Sequence, residues 1–403
     1  MSGRALVVAL GFVVLVPLVV GAQMAAEEAG LQAAGAFEQG RLYRAGPVSV
    51  VRLQGTYRQM GRQYGRLLRP ELKGLYRVAI DDEYLGRQGY TAAQLRDVAE
   101  FLFARYPHRY REIVLGMAET SGLGRDKQVV LNALEWIPKL ALPAAHCSGL
   151  AVWGDYTGSG PLLFGRNNDD TEFFKRFAPY VVVIVLDPRD GSIPVAIVNY
   201  AGVVYAPSGM NAAGLFLELN SGNYMGYFPD RVSVFTTLVS FLQDYTTLGE
   251  VEPAFKSIKP ELSSIVNGAD PASAASFECS PAEARRRAPD KPGVMAATNH
   301  FVDPAWGLPL PDDQTNALTV TRREHLLEQA EAHKGRFSVA TMKEVLETTI
   351  EHGGATDAET TIYQILAEPE TLTMWLRAPD NFEWQRIRLS RLLRPGSAGS
   401  STY

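Results

Sequence analysis

From Ser148 onward the chain is a series of short apolar runs. "GLAVWG", "PLLFG", "YVVVIVLD", "IPVAIVNYAGVVYA" and "GLFLELN" are β-branched or aromatic stretches divided by Gly, Pro, Asp and Asn. Runs of that length and composition, closely spaced, predict strands. Ahead of them the period lengthens. In "YRQMGRQYGRLLRPELKGLYRVAIDDEYLG" the residues Met60, Tyr64, Leu67 and Leu68 recur at helical spacing. The next run opens on Thr91, a good N-cap type, and repeats its apolar side chains at Leu95, Val98, Phe101 and Leu102. "DKQVVLNALEWIPKLAL" is a third helical run, broken at Pro138. The pattern therefore predicts a helical front over 24–145, with sheets beginning at Cys147. Helix returns over 231–258 and near 321–333 and 338–350. Further strands are expected over 274–279 and 294–298, around a Pro- and Arg-rich loop at 281–293. "TIYQILAEP" and "LTMWLRAP" form a hairpin through Glu368–Glu370. The tail from 393 to 403 has linker composition and is expected to be disordered.

The 403 residues leave room for one large domain or two modest ones, and 46% hydrophobic content supplies a sizeable core. A net charge of −5, from 39 basic and 44 acidic residues, gives no nucleic-acid footprint. The chain opens with Arg4, an apolar run from Ala5 to Val20 and small residues at Gly21 and Ala22, which reads as a secretory signal cut after Ala22. The alternative is an uncleaved membrane anchor, although the run falls short of the roughly 20 residues that span a bilayer. The expected location is outside the cytoplasm, secreted or periplasmic, with membrane contact only through an uncut signal segment.

Cys147 sits at the pattern change, in "HCSGLAVWGDYTGSGPLLFGRNNDD", and Cys279 is the only other cysteine. Export makes a Cys147–Cys279 disulfide one reading, a small core residue another and a nucleophile the third. If the hairpin turns near Tyr156–Thr157, Cys147 lies opposite Arg166. Opposed residues share a face, so a guanidinium would stand beside the thiol and favour the thiolate. A surface charge at a strand end is the plainer reading of Arg166 alone. A cysteine nucleophile also needs a base. The histidines 108, 146, 300, 325, 333 and 352 form no local cysteine-protease signature. No HExxH, CxxC, Walker A, strand-borne GxGxxG or GxSxG occurs, so neither metal nor cofactor is expected. A cut before Cys147 would create an α-amine on the nucleophile itself, with a reference pKa of about 7.7–8.0. The front would then be a propeptide.

Five segments carry a resemblance: "VSVVRLQGTYRQMGRQYGRLL", "CSGLAVWG…LLFGRNNDD", "SGMNAAGLFLELN", "AATNHF" and "TVTRREHLLEQ". In this order they resemble the N-terminal-nucleophile cysteine hydrolases of the penicillin acyltransferase (acyl-CoA:6-aminopenicillanic acid acyltransferase) and choloylglycine hydrolase group, over about residues 48–390. The front motif resembles the acyltransferase branch. The resemblance implies an α+β, four-layer αββα sandwich of mostly antiparallel sheets, preceded by a helical prosegment. With the signal at 1–22 and the tail at 393–403, it implies a prosegment over 23–146 and a catalytic domain over 147–392. It also implies autoproteolysis between His146 and Cys147. Cys147 would be the nucleophile, and Arg166 and Asp169 would flank the thiol and hold the amine. Asn220 would donate to the oxyanion, Asn299 would contact the substrate amide or oxyanion, and Arg322 or Arg323 would complete the site. Taken singly, Asn220 and Asn299 read equally well as turn residues. Asn168 stands where the group often has an apolar or aromatic residue, and His146 is larger than the residue expected before the cut.

The function implied is an exported, self-processing cysteine amidohydrolase or acyltransferase. Its substrate is a small molecule with an acyl-amide or acyl-thioester bond, and homo-oligomers are left open. The alternatives are a phospholipase B-like or ceramidase-like lipid acyl hydrolase and a non-catalytic binding protein on the same scaffold.

Overall fold

The computed structural model describes residues 30–137 and 146–393. The signal segment, residues 138–145 of the proposed prosegment and the tail from 394 lie outside the described residues. In chain order the strands are β1 Gln32–Phe37, β2 Gly40–Ala45, β3 Val48–Gly55, β4 Ser148–Val152, β5 Leu163–Asp169 and β6 Val181–Pro188. Next come β7 Val195–Tyr200, β8 Ser208–Asn211, β9 Phe216–Ser221, β10 Ser264–Ala269 and β11 Ala274–Cys279. The last are β12 Ala284–Arg287, β13 Val294–Ala297, β14 Thr361–Glu368, β15 Thr373–Ala378 and β16 Phe382–Arg388. The longer α-helices are α1 Tyr57–Leu67, α2 Ala92–Phe103, α3 His108–Thr120, α4 Arg125–Asn132, α5 Val234–Asp244, α6 Leu248–Ser257, α7 Thr319–Ala332 and α8 Val339–Glu347, and a π-helical segment covers Tyr76–Arg87.

The strands form two sheets. The larger runs β1-β2-β3-β6-β7-β8-β9-β10-β11-β12 and the smaller β13-β4-β5-β14-β15-β16. Among the described pairings between these strands, only β3 with β6 is parallel. β6, "VVVIVLDP", is buried along its whole length, as expected of a strand covered on both faces. The sheets meet face to face, with the rings of Phe164 (β5) and Phe216 (β9) 5.1 Å apart. α5 and α6 cover the outer face of the larger sheet, and α7 and α8 that of the smaller. The α+β class, the two antiparallel-rich sheets and the flanking helices match the sequence reading. α2 starts at Thr91 as expected, where a capping box joins Thr91 to Gln94.

The expected all-helical front is corrected at residues 32–55. They form β1, β2 and β3, and β3 lies between β2 and β6 inside the larger sheet. The physical reason is visible in β3, "VSVVRLQG", where β-branched residues fill a strand buried at Val48, Val50, Val51 and Leu53. Helix begins only at α1, whose first turn is closed by the Thr56–Gln59 capping box. α1 and α3 then cross at two glycines. A Cβ on Gly61 would lie 2.1 Å from the Ile113 carbonyl oxygen, and one on Gly116 2.3 Å from that of Arg58. The front of the chain is thus part strand and part helix, and it shares a core with the rest. β8, β10 and β16 are further strands that the sequence pattern did not separate from loop, and the expected loop at 281–293 is corrected at β12, which pairs with β11.

Candidate active site

β4 and β5 form the expected hairpin, but its register differs from the one inferred. Ser148 faces Asn167 and Gly149 faces Arg166, so the pairing is displaced by two residues. A shift of two preserves the face, and Arg166 still reaches Cys147 diagonally. Gly149 is needed opposite Arg166: a Cβ there would come within 2.9 Å of Glu218 Oε1. Glu218, on β9, forms a fully buried ion pair with Arg166 Nη1. The Asn267 side-chain amide donates to the same carboxylate from β10.

Arg166 has no solvent exposure. Its Nη2 donates to Cys147 Sγ at 3.5 Å, to Asn168 Oδ1 at 2.7 Å and to the Leu219 carbonyl at 2.9 Å. Nη1 donates to Asn220 Oδ1 at 3.3 Å. The Cys147 thiol is 4% exposed and donates to the Asp169 carbonyl at 3.5 Å. Burial pushes its pKa up, and the Arg166 charge pulls the other way. Asn168 therefore braces the guanidinium.

Asp169 is 1% exposed, and neither carboxylate oxygen has a hydrogen-bond partner in good geometry. Thr361 and Arg322 are its polar neighbours, with Arg322 Nη1 3.9 Å from Oδ2. Burial lifts the carboxyl from 3.8 to about 7, against the opposing Arg322 charge. Arg322, on α7, is also buried and donates four hydrogen bonds. Nη1 donates to the His146 carbonyl and, at 3.3 Å, to the Cys147 carbonyl. Nη2 donates to Asn299 Oδ1 at 2.9 Å and Nε to the Ala317 carbonyl at 2.8 Å. Arg322 thus grips the carbonyl of the His146–Cys147 peptide bond. Arg323 instead pairs with Asp290, which separates the two arginines that the sequence left open. The His146 imidazole is held below its ordinary pKa, first by burial and then by Arg322, and its Nδ1 has no partner.

Asn220, next to the last residue of β9, has its Oδ1 on Arg166 and its Nδ2 buried without a partner. That free amide N–H is the kind of donor an oxyanion takes. Asn299 is placed differently. Its Nδ2 donates to the Ser221 carbonyl at 3.2 Å and its Oδ1 accepts from Arg322. Its contacts hold Arg322, and it is not among the described lining residues of the cavity beside the thiol.

That cavity has a volume of about 50 Å³ and opens to solvent. Cys147, Arg166, Asn168, Asp169 and Asn220 line it, as do Glu135 and Asp170. Pro207, Leu219, Val234, Phe235 and Leu262 give it apolar walls, and Ser263 and Ser264 add hydroxyls. Sequence reasoning missed Glu218, Glu135 and the two serines. The signal for Glu218 is an acidic residue inside the otherwise apolar run "GLFLELN". The loop after Asn220 exposes Tyr224, Met225 and Phe228, while its Tyr227 and Pro229 line a separate cavity with Trp136 and Glu261. Both cysteines are free thiols, so the Cys147–Cys279 disulfide is not formed. Cys279 is fully buried, as read for a small core residue.

Chemically, the cluster can stabilise a thiolate, polarise the peptide carbonyl before Cys147 and donate to an oxyanion. Among the described residues no group of His, Cys, Asp and Glu side chains has the arrangement of a metal site.

No family model matches the chain, and no curated protein matches it. Solved structures do align. One is a Caenorhabditis elegans N-acylethanolamine-hydrolyzing acid amidase ortholog, at 19% identity and a TM-score of 0.39, over 55% of this chain and 93% of that one. A second is a mutant conjugated bile acid hydrolase from Clostridium perfringens, at 15% identity and 0.41, over 61% and 93%. A third is penicillin V acylase from Agrobacterium tumefaciens, at 12% identity and 0.41, over 62% and 88%. Alignments at these TM-scores carry no argument of their own, and the functional reading rests on the site.

Proposed function

We propose that this chain is an exported cysteine amidohydrolase or acyltransferase that makes its own active site by cutting before Cys147. The observation that carries the reading is the grouping on that one peptide bond. Arg322 donates to the His146 carbonyl, the Cys147 thiol lies under Arg166, and the buried Asp169 carboxylate stands beside them without a hydrogen bond. In the cut, Cys147 Sγ attacks the His146 carbonyl carbon while Arg322 stabilises the developing oxyanion. The C–N bond breaks and the nitrogen takes the thiol proton, leaving a thioester. Water then hydrolyses the thioester to a His146 carboxylate and a Cys147 with free thiol and α-amine.

The new ammonium supplies the hydrogen-bonding partner that Asp169 lacks. In its neutral form the amine is the base that takes the thiol proton as Sγ attacks a substrate acyl carbon. Asn220 Nδ2 donates to the resulting oxyanion. The protonated amine returns its proton to the leaving group, and water or an acceptor amine resolves the acyl-enzyme.

Intact-mass measurement tests the reading. Wild-type protein is expected as two chains divided at His146–Cys147, and the Cys147→Ala variant as one. A wild-type preparation that stays uncut, with residues 23–146 still joined to Cys147, overturns it.

A further inference from the structure

We infer that the acyl group of the substrate bears a small uncharged group that both donates and accepts hydrogen bonds, a hydroxyl or a carboxamide, which the hydroxyls of Ser263 and Ser264 hold in the cavity beside Cys147. The inference rests on the proposed function and adds the substrate class.

One wall of the cavity has hydrogen-bonding capacity that the protein leaves unused. Ser264 opens β10, opposite Ser221 of β9, and Ser263 comes just before it. All three line the cavity. Ser264 is 2% exposed and Ser263 9%, yet neither hydroxyl has a hydrogen-bond partner. Buried polar side chains are partnered as a rule. Two adjacent exceptions on the wall of one cavity mark a place where a ligand supplies the partners. The charged groups around the same space are already engaged. Arg166 pairs with Glu218, with no solvent exposure on either side. Glu135 accepts from Asn199 Nδ2 at 2.9 Å and Asp170 from the Thr171 amide at 2.8 Å, and both have further contacts within the protein. Asp169 takes the Cys147 ammonium once the chain is cut. An ionic ligand would have to displace one of these partners or stay uncompensated away from water. A neutral ligand meets neither obstacle.

A serine hydroxyl has one donor and two acceptor lone pairs. Two of them match a group that also donates and accepts. An alkyl group of the same size would leave both hydroxyls buried and unpaired, the situation in which a binding site discriminates most strongly. Size and side follow from the surroundings. A volume of about 50 Å³ admits only a few non-hydrogen atoms, so the group stands close to the scissile carbonyl. The leaving nitrogen must face the Cys147 amine, beside Asp169 on β5 of the smaller sheet. The serines stand at β10 of the larger sheet, next to the strand that carries Asn220. The acyl side of the carbonyl therefore meets the serines.

Hydroxyacetyl, propanoyl, glycyl and malonyl amides of one amine test the inference, because they set a hydroxyl, a methyl, an ammonium and a carboxylate at the same position. The comparison is repeated one carbon longer, with 3-hydroxypropanoyl against butanoyl. With the self-processed enzyme at pH 7, the hydroxyl compound of at least one length is expected to exceed its methyl partner by about tenfold or more in kcat/KM. The glycyl and malonyl amides are expected to fall below the hydroxyacetyl one. Ser264→Ala, and the double variant with Ser263→Ala, are expected to narrow the preference for hydroxyl over methyl, mainly through KM. Methyl or charged compounds turned over as well as the hydroxyl ones overturn the inference. So does a hydroxyl preference that both variants keep in full, since the serines would then hold water alone. The wild-type ratio decides by itself where a variant fails to fold. If no amide is turned over, the hydrolase reading fails and binding decides. A larger thermal shift with hydroxyl than with methyl compounds still supports the serine site, and equal shifts reject it.

Discussion

Arg166 divides its two terminal nitrogens between opposite partners, the thiol on Nη2 and the Glu218 carboxylate on Nη1. Glu218 therefore sets how much positive charge Cys147 feels. Glu218→Gln keeps the shape and removes the counter-charge, so the thiol pKa is expected to fall, and the pH profile of Cys147 alkylation should move to lower pH. The same change leaves a buried guanidinium unpaired, at a stability cost of about 3–5 kcal/mol. A rigid scaffolding role would give the stability loss without the alkylation shift. Asp169 supports a second prediction. In the uncut Cys147→Ala protein its folded carboxyl keeps a proton to about pH 7, against 3.8 ordinarily. Between those values the folded state binds more protons than the unfolded, so acid favours folding and the benefit is lost as pH rises toward 7. Asn at 169 does not titrate. Adding Asp169→Asn should therefore raise the melting temperature more at pH 8 than at pH 5, and an equal effect at both would refute the assignment. At this scale Cys147, Arg166, Asp169 and Arg322 were legible because the motifs around them name the residues. Glu218 and Glu135 were not, because a lone acid in a strand or helix looks solvent-facing until the other sheet covers it.

The β4–β5 hairpin shows what sequence gives an element and what it leaves open. The turn signal located both strands, but register depends on where Gly154–Tyr156 tightens into a 3-10 turn, and the inferred pairing was displaced by two. The face survived because the period is two. The front strands were hidden for a different reason. β1, "QAAGAF", lacks apolar alternation and is mostly exposed, so it borrows its conformation from β2. The glycines of "YRQMGRQYG" were legible as a motif, and the structure gives them a packing role where α1 meets α3. Gly116→Ala would put a Cβ against the Arg58 carbonyl. Forcing those backbones apart should cost about 1–3 kcal/mol or more, read as a lower denaturant midpoint at an unchanged m-value. A neutral outcome would mean that the helices separate freely.

The whole molecule limits what a cut at His146–Cys147 could release. The piece before the cut supplies β3 to the interior of the larger sheet, in parallel register with β6 from Ser49↔Val182 to Gly55↔Pro188. Arg52 pairs with Asp187 at 2.5 Å and donates to the Leu392 carbonyl at 2.9 Å, tying that strand to both the middle and the end of the later piece. Farther along, Tyr64 Oη accepts from the Gly202 amide at 2.8 Å and Asn132 Oδ1 from the Val204 amide at 2.9 Å, both buried. Removing the front would uncover a strand edge and a large apolar face, which a soluble chain does not tolerate. It would also take Glu135 from the cavity wall. Cleavage is therefore expected to yield two chains that remain one particle. The cut protein should elute at the volume of the uncut Cys147→Ala variant in native size-exclusion chromatography, and its chains should separate only in denaturant. Loss of the front chain under native conditions, with activity retained, would contradict the shared sheet as a stabilising element.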